Sequence, residues 1–206
     1  MVWFAAAMIV LAGLGLAATV GRRPIPCPSW LAALVEIDNP FFPSNSARAI
    51  IAGLEVARGM RVLDAGCGPG RLTIPLAQAV GQSGRVTAVD LQEGMLARVR
   101  ARAEKAALTN IDFVSVRLGA GDLPEHAFDR AVMVAVLGEI PDQTAAMREL
   151  SRALQPSGIL AISEWIADPH FQRQTRVLAL ARDAGLREKS RIGHPLGYTL
   201  YLQRAV

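Results

Sequence analysis

The residues with the clearest chemical potential form a glycine-rich turn in the first half of the chain. Residues 62–65 are apolar except for Asp64, and they lead into the sequence Gly66-x-Gly68-x-Gly70. A segment of helical character comes next. Glycines at alternate positions permit backbone torsions that side chains forbid, and they let a ligand approach the unpaired N–H groups at a helix N-terminus. The pattern therefore predicts a nucleotide-binding turn between a strand and a helix.

The spacing of the glycines separates one nucleotide class from another. A dinucleotide-binding turn reads G-x-G-x-x-G, whereas this turn has glycines at every second position and Asp64 on the strand before it. A second acid, Asp90, ends a short β-branched run 20 residues after Gly70. A βαβ unit would place that carboxylate beside ribose hydroxyls. The alternative is that Asp90 caps the next helix, predicted over residues 92–107.

This arrangement resembles motif I of the class I S-adenosylmethionine (SAM) dependent methyltransferases. The resemblance implies a Rossmann-like α/β fold, SAM as the cofactor, and Asp90 on the ribose. It also implies that the methionine end of SAM is held by the turn, whose cofactor-binding residues are Asp64, Gly66, Cys67, Gly68 and Gly70. Cys67 is expected to be a small packing residue rather than a nucleophile.

Three later segments resemble the small-molecule branch of that family, which includes ubiquinone and menaquinone biosynthesis methyltransferases. They are Leu123-Pro124 before Phe128-Asp129-Arg130, then Ile140-Pro141-Asp142, then residues 147–158. This branch often has an aspartate after the third strand that contacts the adenine amino group, and Gly119 stands there instead. The resemblance then implies that adenine is held near Ala120, by Asp122 and by apolar packing from Leu91. Asp122 is equally compatible with a turn residue.

The alternation of strands and helices predicts a parallel sheet covered on both faces. A capped helix is predicted over residues 47–56, and later strands and helices over 111–116, 128–137, 143–154, 159–165, 171–184, 187–192 and 198–204. The resemblance implies a seven-stranded, mostly parallel sheet with an antiparallel last strand and helices on both faces.

The N-terminal stretch predicts a membrane anchor. Residues 1–20 contain no charged side chain and are followed by Arg22 and Arg23. About 20 apolar residues cross a bilayer as a helix, and the arginine pair favours a cytoplasmic position for the rest of the chain. We predict a transmembrane helix over 1–21, a linker with a short pocket-closing or interfacial helix over 22–43, and a methyltransferase domain over 44–206. A cleaved signal peptide is the alternative, but the usual positive n-region is missing.

Composition excludes several other classes. The net charge of +4 comes mainly from arginines scattered along the chain, with no dense basic block, and the Asn/Asp-Pro-Pro-Tyr/Phe motif of nucleobase amino methyltransferases is missing. We therefore expect no nucleic-acid partner. The two cysteines and three histidines show no metal-ligand spacing, so we expect no metal. Cysteine usage favours a reducing compartment.

The segment after the fourth strand, residues 137–141, faces the place where a methyl group would leave sulfur, since ligands collect at the carboxyl ends of parallel strands. A hydroxyl acceptor would need a proton acceptor. Glu139 is the first candidate; Glu164 and His170 are next, and each is also compatible with a structural role. The predicted anchor indicates a small lipophilic acceptor. The alternatives are a non-catalytic SAM-binding assembly factor at the membrane and, against the glycine spacing, a nicotinamide-dependent oxidoreductase.

Overall fold

The structure, a computed structural model, describes residues 45–204. The predicted anchor over 1–21 and the linker over 22–43 lie outside this range and stay predictions. Across residues 45–204, every helix is too short or too polar to cross a membrane. The first described helix, α1, spans Ala47–Gly53, and its N-cap Ser46 accepts a hydrogen bond from the backbone N–H of Ala49. It ends earlier than predicted, at Gly53, where the ring of Tyr201 leaves no room for a side chain.

Strands and helices alternate through the rest of the domain. After α1, the elements are β1 Arg61–Ala65, α2 Thr73–Val80, β2 Arg85–Val89, α3 Glu93–Lys105, β3 Ile111–Val114, β4 Phe128–Val134, a short 3-10 turn Leu137–Glu139, α4 Gln143–Ala153, β5 Leu154–Trp165, α5 Gln174–Asp183, β6 Leu186–His194 and β7 Gly197–Arg204.

The strands form one seven-stranded sheet in the order β3-β2-β1-β4-β5-β7-β6. Strands β1 to β5 pair in parallel, and β7 runs antiparallel to both of its neighbours, β5 and β6. The predicted sheet, with its antiparallel last strand, is therefore confirmed. The strand order reverses between β1 and β4, and ligands bind outside the carboxyl ends of the strands at such a switch point.

Two hydrophobic clusters lie on opposite faces of the sheet, because successive strand residues point to opposite sides. On one face, Leu63, Met133 and Ile162 pack with residues of α4 and α5. On the other, Val132 and Tyr201 pack with residues of α1, α2 and α3. Helices cover both faces, as predicted. The carboxyl ends of the strands are therefore left for the site.

Two predicted boundaries are wrong around the centre of the sheet. β4 ends at Val134 because Ala135 has a positive φ of 54° and turns the chain into the 3-10 turn. β5 begins at Leu154, directly after α4, so the Pro156-Ser157-Gly158 stop lies inside the strand. The Pro156-Ser157-Gly158 segment is tolerated because it lies near the start of β5. There, Ser157 has a φ of 63° and the register with β4 shifts.

Candidate active site

The glycine turn is anchored to the end of β2. The backbone N–H groups of Gly66 and Cys67 both donate to the carbonyl of Val89, at 2.8 and 2.9 Å. Gly68 has a φ of 51°, and a Cβ added there would meet nothing within 4 Å. The turn thus needs glycine for its backbone conformation, and at Gly68 it borders open space. Such a surface can accept a ligand against the main chain.

Asp90 comes directly after β2 and holds the turn from the other side. Its Oδ2 accepts a hydrogen bond from the N–H of Gly68 at 2.9 Å, and its Oδ1 accepts one from the N–H of Gln92 at 2.8 Å. The N-cap residue of α3 is Gln92, so Asp90 does not occupy the capping position. Partial burial raises the pKa of Asp90, while the backbone hydrogen bonds oppose that shift. A carboxylate has about four acceptor sites, so capacity remains for ligand hydroxyls.

Asp64 lies beneath the turn, with only 3% of its surface exposed. Its Oδ2 accepts a hydrogen bond of 2.6 Å from Thr73 Oγ1, which ties β1 to the first residue of α2. Burial raises the pKa of Asp64 to about 6, against the lowering effects of the Thr73 hydrogen bond and the Arg71 charge. Thr73 is a site residue that sequence reasoning missed. Its position at the start of a helix after the glycine turn was the available signal.

A series of side-chain hydrogen bonds through Asn45, just before α1, supports the glycine turn. Arg71 donates to the backbone carbonyl and to the side-chain oxygen of Asn45, at 2.8 and 3.0 Å. Asn45 Nδ2 donates to Ser163 Oγ at 2.7 Å, and Ser163 in turn hydrogen-bonds Thr199 at 2.9 Å. This chain fixes the turn relative to β5 and β7. The sequence offered no signal for it because its members are far apart along the chain.

The loop predicted to hold adenine is clamped by a second residue that sequence reasoning did not single out. Glu149 of α4, which is buried, accepts hydrogen bonds from the N–H groups of Gly119 and Leu123. Gly119 has a φ of 94°, and a Cβ there would approach the N–H of Ala146 to 3.1 Å. A side chain at position 119 would therefore be strained in this conformation. An acid on the apolar face of α4 was the available signal for Glu149.

Three of the remaining predicted cofactor residues are exposed. Leu91 leaves 48% of its surface exposed next to Asp90, and Ala120 and Asp122 are exposed on the clamped loop. Cys67 is buried, and burial raises the pKa of its thiol, so the thiol stays neutral. This agrees with a packing role for Cys67. The binding roles of all four residues stay predictions.

The structure brings the three acid–base candidates together at the carboxyl ends of β4 and β5. Glu164 is 1% exposed, and burial raises its pKa to about 8, with additional contributions from the charges of Asp168 and Glu139. The N–H of His170 donates to Asp168 Oδ1 at 2.6 Å. A Cβ on Gly138 would overlap the carbonyl oxygen of His170, so the 3-10 turn and the segment after β5 are in direct contact.

The residues fit SAM in three respects. The turn has a ligand-accessible backbone at Gly68, Asp90 retains acceptor capacity for ribose hydroxyls, and the exposed Leu91 offers an apolar surface for a base. Residues 45–204 contain no cluster of three or more side chains suited to a metal ion.

Comparisons with known proteins agree with this geometry. Residues 62–158 match the family model described as a methyltransferase domain. The chain is 33% identical over 119 residues to a demethylmenaquinone methyltransferase from Staphylococcus aureus, covering 57% of this chain and 48% of that protein. It is 33% identical over 124 residues to a ubiquinone/menaquinone biosynthesis C-methyltransferase from Pseudoalteromonas translucida, covering 60% and 49%. The chain thus spans about half the length of these relatives.

Among solved structures, a SAM-dependent methyltransferase from Aquifex aeolicus superimposes with a TM-score of 0.77 at 22% identity, covering 86% of this chain and 98% of that one. This likeness shows the shared fold. Residues 62–158 thus match a methyltransferase domain, and the relatives and the fold support a SAM-dependent methyltransferase with S-adenosylmethionine as its cofactor.

Proposed function

We propose that the protein uses this methyltransferase domain to transfer a methyl group from SAM to a small lipophilic acceptor at the cytoplasmic face of a membrane. The observation that carries the transfer itself is the glycine turn held by Asp90 at the switch point of the sheet. The lipophilic acceptor is supported by the relatives, whose names include demethylmenaquinone and ubiquinone/menaquinone biosynthesis. The membrane location is supported by residues 1–20, which carry no charge and precede Arg22 and Arg23.

Each group of cofactor residues contacts a different part of SAM. Asp64 and the backbone of the turn bind the methionine end, Asp90 accepts hydrogen bonds from the ribose hydroxyls, and Leu91 with the loop at Ala120 and Asp122 covers the adenine. The pKa of Asp64, raised to about 6 by burial, leaves its carboxyl ionised at neutral pH, where it attracts the ammonium group of the cofactor. The Glu149 clamp fixes the loop that is proposed to cover the adenine, through the N–H groups of Gly119 and Leu123.

SAM supplies a methyl group already activated on a positively charged sulfur. The work left to the protein is to orient the acceptor in line with that methyl group, to exclude water, and to receive a proton where the acceptor releases one. The acceptor lies over the carboxyl ends of β4 and β5, next to the 3-10 turn Leu137–Glu139. That turn and the segment after β5, which contacts it at His170, form the wall of the acceptor site.

The test is a labelling experiment with the purified full-length chain. Methyl-labelled SAM and a membrane extract are incubated with the wild type and with Asp90→Ala, and the label is partitioned between organic, aqueous and protein fractions. We expect label in the organic fraction with the wild type and its loss in the variant. Label confined to the aqueous or protein fraction would contradict the lipophilic acceptor. SAM binding without any transfer would favour the non-catalytic assembly factor.

A matched control separates the ribose contact from a general loss of structure. Asp129→Ala removes an acid on β4, which accepts a hydrogen bond from the N–H of Arg61 and lies outside the proposed site. It should leave SAM affinity measured by calorimetry unchanged, while Asp90→Ala should weaken it by at least tenfold, which corresponds to about 1.4 kcal/mol.

The membrane part of the proposal has its own test. Val10→Arg places a charge in the middle of the uncharged stretch, where the insertion cost is about 3 kcal/mol. We expect the variant to move from the membrane fraction to the soluble fraction, while Val10→Leu stays with the membrane. Equal fractionation of both variants would contradict the anchor.

A further inference from the structure

We propose that Glu164, rather than Glu139, is the catalytic base, and that its Oε1 receives the proton of an acceptor hydroxyl during methyl transfer. This inference rests on the proposed function, because it assigns a role toward the acceptor in the same site. It is carried by the position of Glu164, by its unpartnered oxygen and by the charged groups around it.

Glu164 lies at the carboxyl end of β5, where the proposed acceptor site is. It is the second-last residue of β5, and β5 is separated from β1, which leads into the cofactor turn, by β4 alone. Neighbouring strands are about 4.8 Å apart, so β5 lies roughly 10 Å from β1 across the sheet. Asp64 is level with Ala161 through Val132, so Glu164 lies three residues further along the strand direction than Asp64. An acceptor placed between the cofactor turn and Glu164 would lie over the carboxyl ends of β4 and β5.

One oxygen of Glu164 is already used and the other is not. Oε2 accepts a hydrogen bond from the N–H of Gln172 at 3.1 Å, which fixes the carboxyl group. Oε1 is buried and has no hydrogen-bond partner among the described residues. A buried polar atom without a partner costs about 1–3 kcal/mol. A ligand hydroxyl that donates to Oε1 would remove this cost.

The carboxyl is held from several sides, so it is a fixed group rather than a mobile one. Gln172, its hydrogen-bond donor, is itself held by Tyr198, whose hydroxyl donates to the Gln172 carbonyl at 2.7 Å. Tyr198 is also the cross-strand partner of Glu164 and makes an edge contact with Phe171. Fixing a base in one orientation is what proton transfer in a transition state requires.

The titratable groups around Glu164 are two acids, one phenol and His170, whose charge acts on Asp168. Glu139 faces it from the 3-10 turn, Asp168 from the segment after β5, and Tyr198 from β7. The charges of Asp168 and Glu139 act together with burial to raise the pKa of Glu164 to about 8. Burial also raises the pKa of Tyr198, so its phenol stays neutral. Glu164 is therefore a much stronger base, once ionised, than an exposed carboxylate would be.

The proton balance of the step is simple. The acceptor atom forms a bond to the methyl carbon, the bond between that carbon and sulfur breaks, and its electron pair stays on sulfur as a neutral thioether. The O–H bond of the hydroquinone breaks, the proton moves to the Glu164 carboxylate, and the electron pair forms a carbonyl as the ring carbon takes the methyl group. Loss of the ring C–H proton to solvent and return of a proton to the oxygen then restore the hydroquinone. One positive and one negative charge disappear together, which is favourable in a buried site.

The experiment measures the pH dependence of transfer with the full-length chain, using SAM and demethylmenaquinone reduced with dithionite to its hydroquinone as the probe. Because only ionised Glu164 accepts a proton, the wild-type rate should rise about tenfold per pH unit below pH 8 and level off above it. Glu164→Gln should lower the rate about 100-fold or more and remove the rise. Glu139→Gln should shift the rise to lower pH, because it removes a negative charge that acts on Glu164.

Two readouts keep the test independent of folding and of the substrate. Glu188→Gln, a change of an exposed acid on β6, should leave the rate and its pH profile as in the wild type. Infrared titration of the protein without substrate should show a protonated-carboxyl band that disappears with an apparent pKa near 8 and is missing in Glu164→Gln. A Glu164 that is already ionised at pH 6, or a Glu164→Gln variant with wild-type rates, would overturn the inference. A wild-type chain that binds SAM but methylates no lipophilic probe would contradict the proposed function instead.

Discussion

Replacing Asp64 with asparagine tests the electrostatics of the cofactor turn. The pKa of Asp64 is raised from 3.8 to about 6, chiefly because the carboxyl is buried. A folded-state pKa above the unfolded one means that the native state binds the proton more tightly. The stability that this proton provides is complete below about pH 4 and is lost as the pH rises to about 6. Two pKa units correspond to about 3 kcal/mol.

Asp64→Asn removes the ionisation but keeps an oxygen that can accept the hydrogen bond from Thr73. The stability of the variant relative to the wild type should therefore increase by about 3 kcal/mol between pH 4 and pH 7 and stay constant above. Urea unfolding followed by circular dichroism at several pH values measures this difference directly. A difference that stays within 1 kcal/mol across the range would refute the reasoning.

Asp112→Asn is the matched control because the pKa shift of Asp112 has the opposite sign to that of Asp64. The Arg85 guanidinium lowers the pKa of Asp112 at the exposed edge of the sheet. Its contribution to stability is present above the unfolded pKa and is lost as the pH falls through the folded one.

Comparing the wild type with Asp64→Asn also tests cofactor binding. If Asp64 attracts the ammonium group of SAM, wild-type affinity should rise with pH up to about 6, and that of Asp64→Asn should not.

Three further changes separate the supporting structure from the site. Glu149→Ala should cost about 3 kcal/mol in urea unfolding and weaken SAM binding, because the N–H groups of Gly119 and Leu123 lose a charged acceptor; a cost below 1 kcal/mol would contradict the clamp. Met133→Ala, in the core, should cost about 2–5 kcal/mol and leave SAM affinity measured by calorimetry unchanged. Arg85→Ala breaks an exposed ion pair and should change the unfolding free energy by less than about 1 kcal/mol.

The sequence predicts the parts of the molecule that depend on short-range patterns. The glycine turn and Asp90 are expected from fixed spacing within one βαβ unit, and both lie where that unit would place them. The antiparallel β7 was implied by the family resemblance and is confirmed. The end of β4 could not be predicted, because the apolar residues continue to Leu137 while the positive φ of Ala135 breaks the strand.

Contacts between distant parts of the chain account for the site residues that sequence reasoning missed. Asn45 reaches Ser163 across 118 positions, and Glu149 reaches Gly119 across 30, and no local pattern encodes either pairing. The acid–base candidates show the same limit. Glu139 and Glu164 could each be named from their positions after strands, but only the packing decides that Glu164 is the buried one with an unpartnered oxygen.

The place of β7 in the sheet has a consequence for how the domain is made on the ribosome. β7 comes after β6 in the chain yet lies between β5 and β6, so β6 cannot take its native place in the sheet until β7 has emerged. Until then, the edge of β5 carries unpaired N–H and C=O groups, which can pair with another chain. Synthesis through Arg204 is therefore required before this edge is protected. A ribosome that pauses between residues 165 and 197 would leave this edge of β5 open to pairing with another chain.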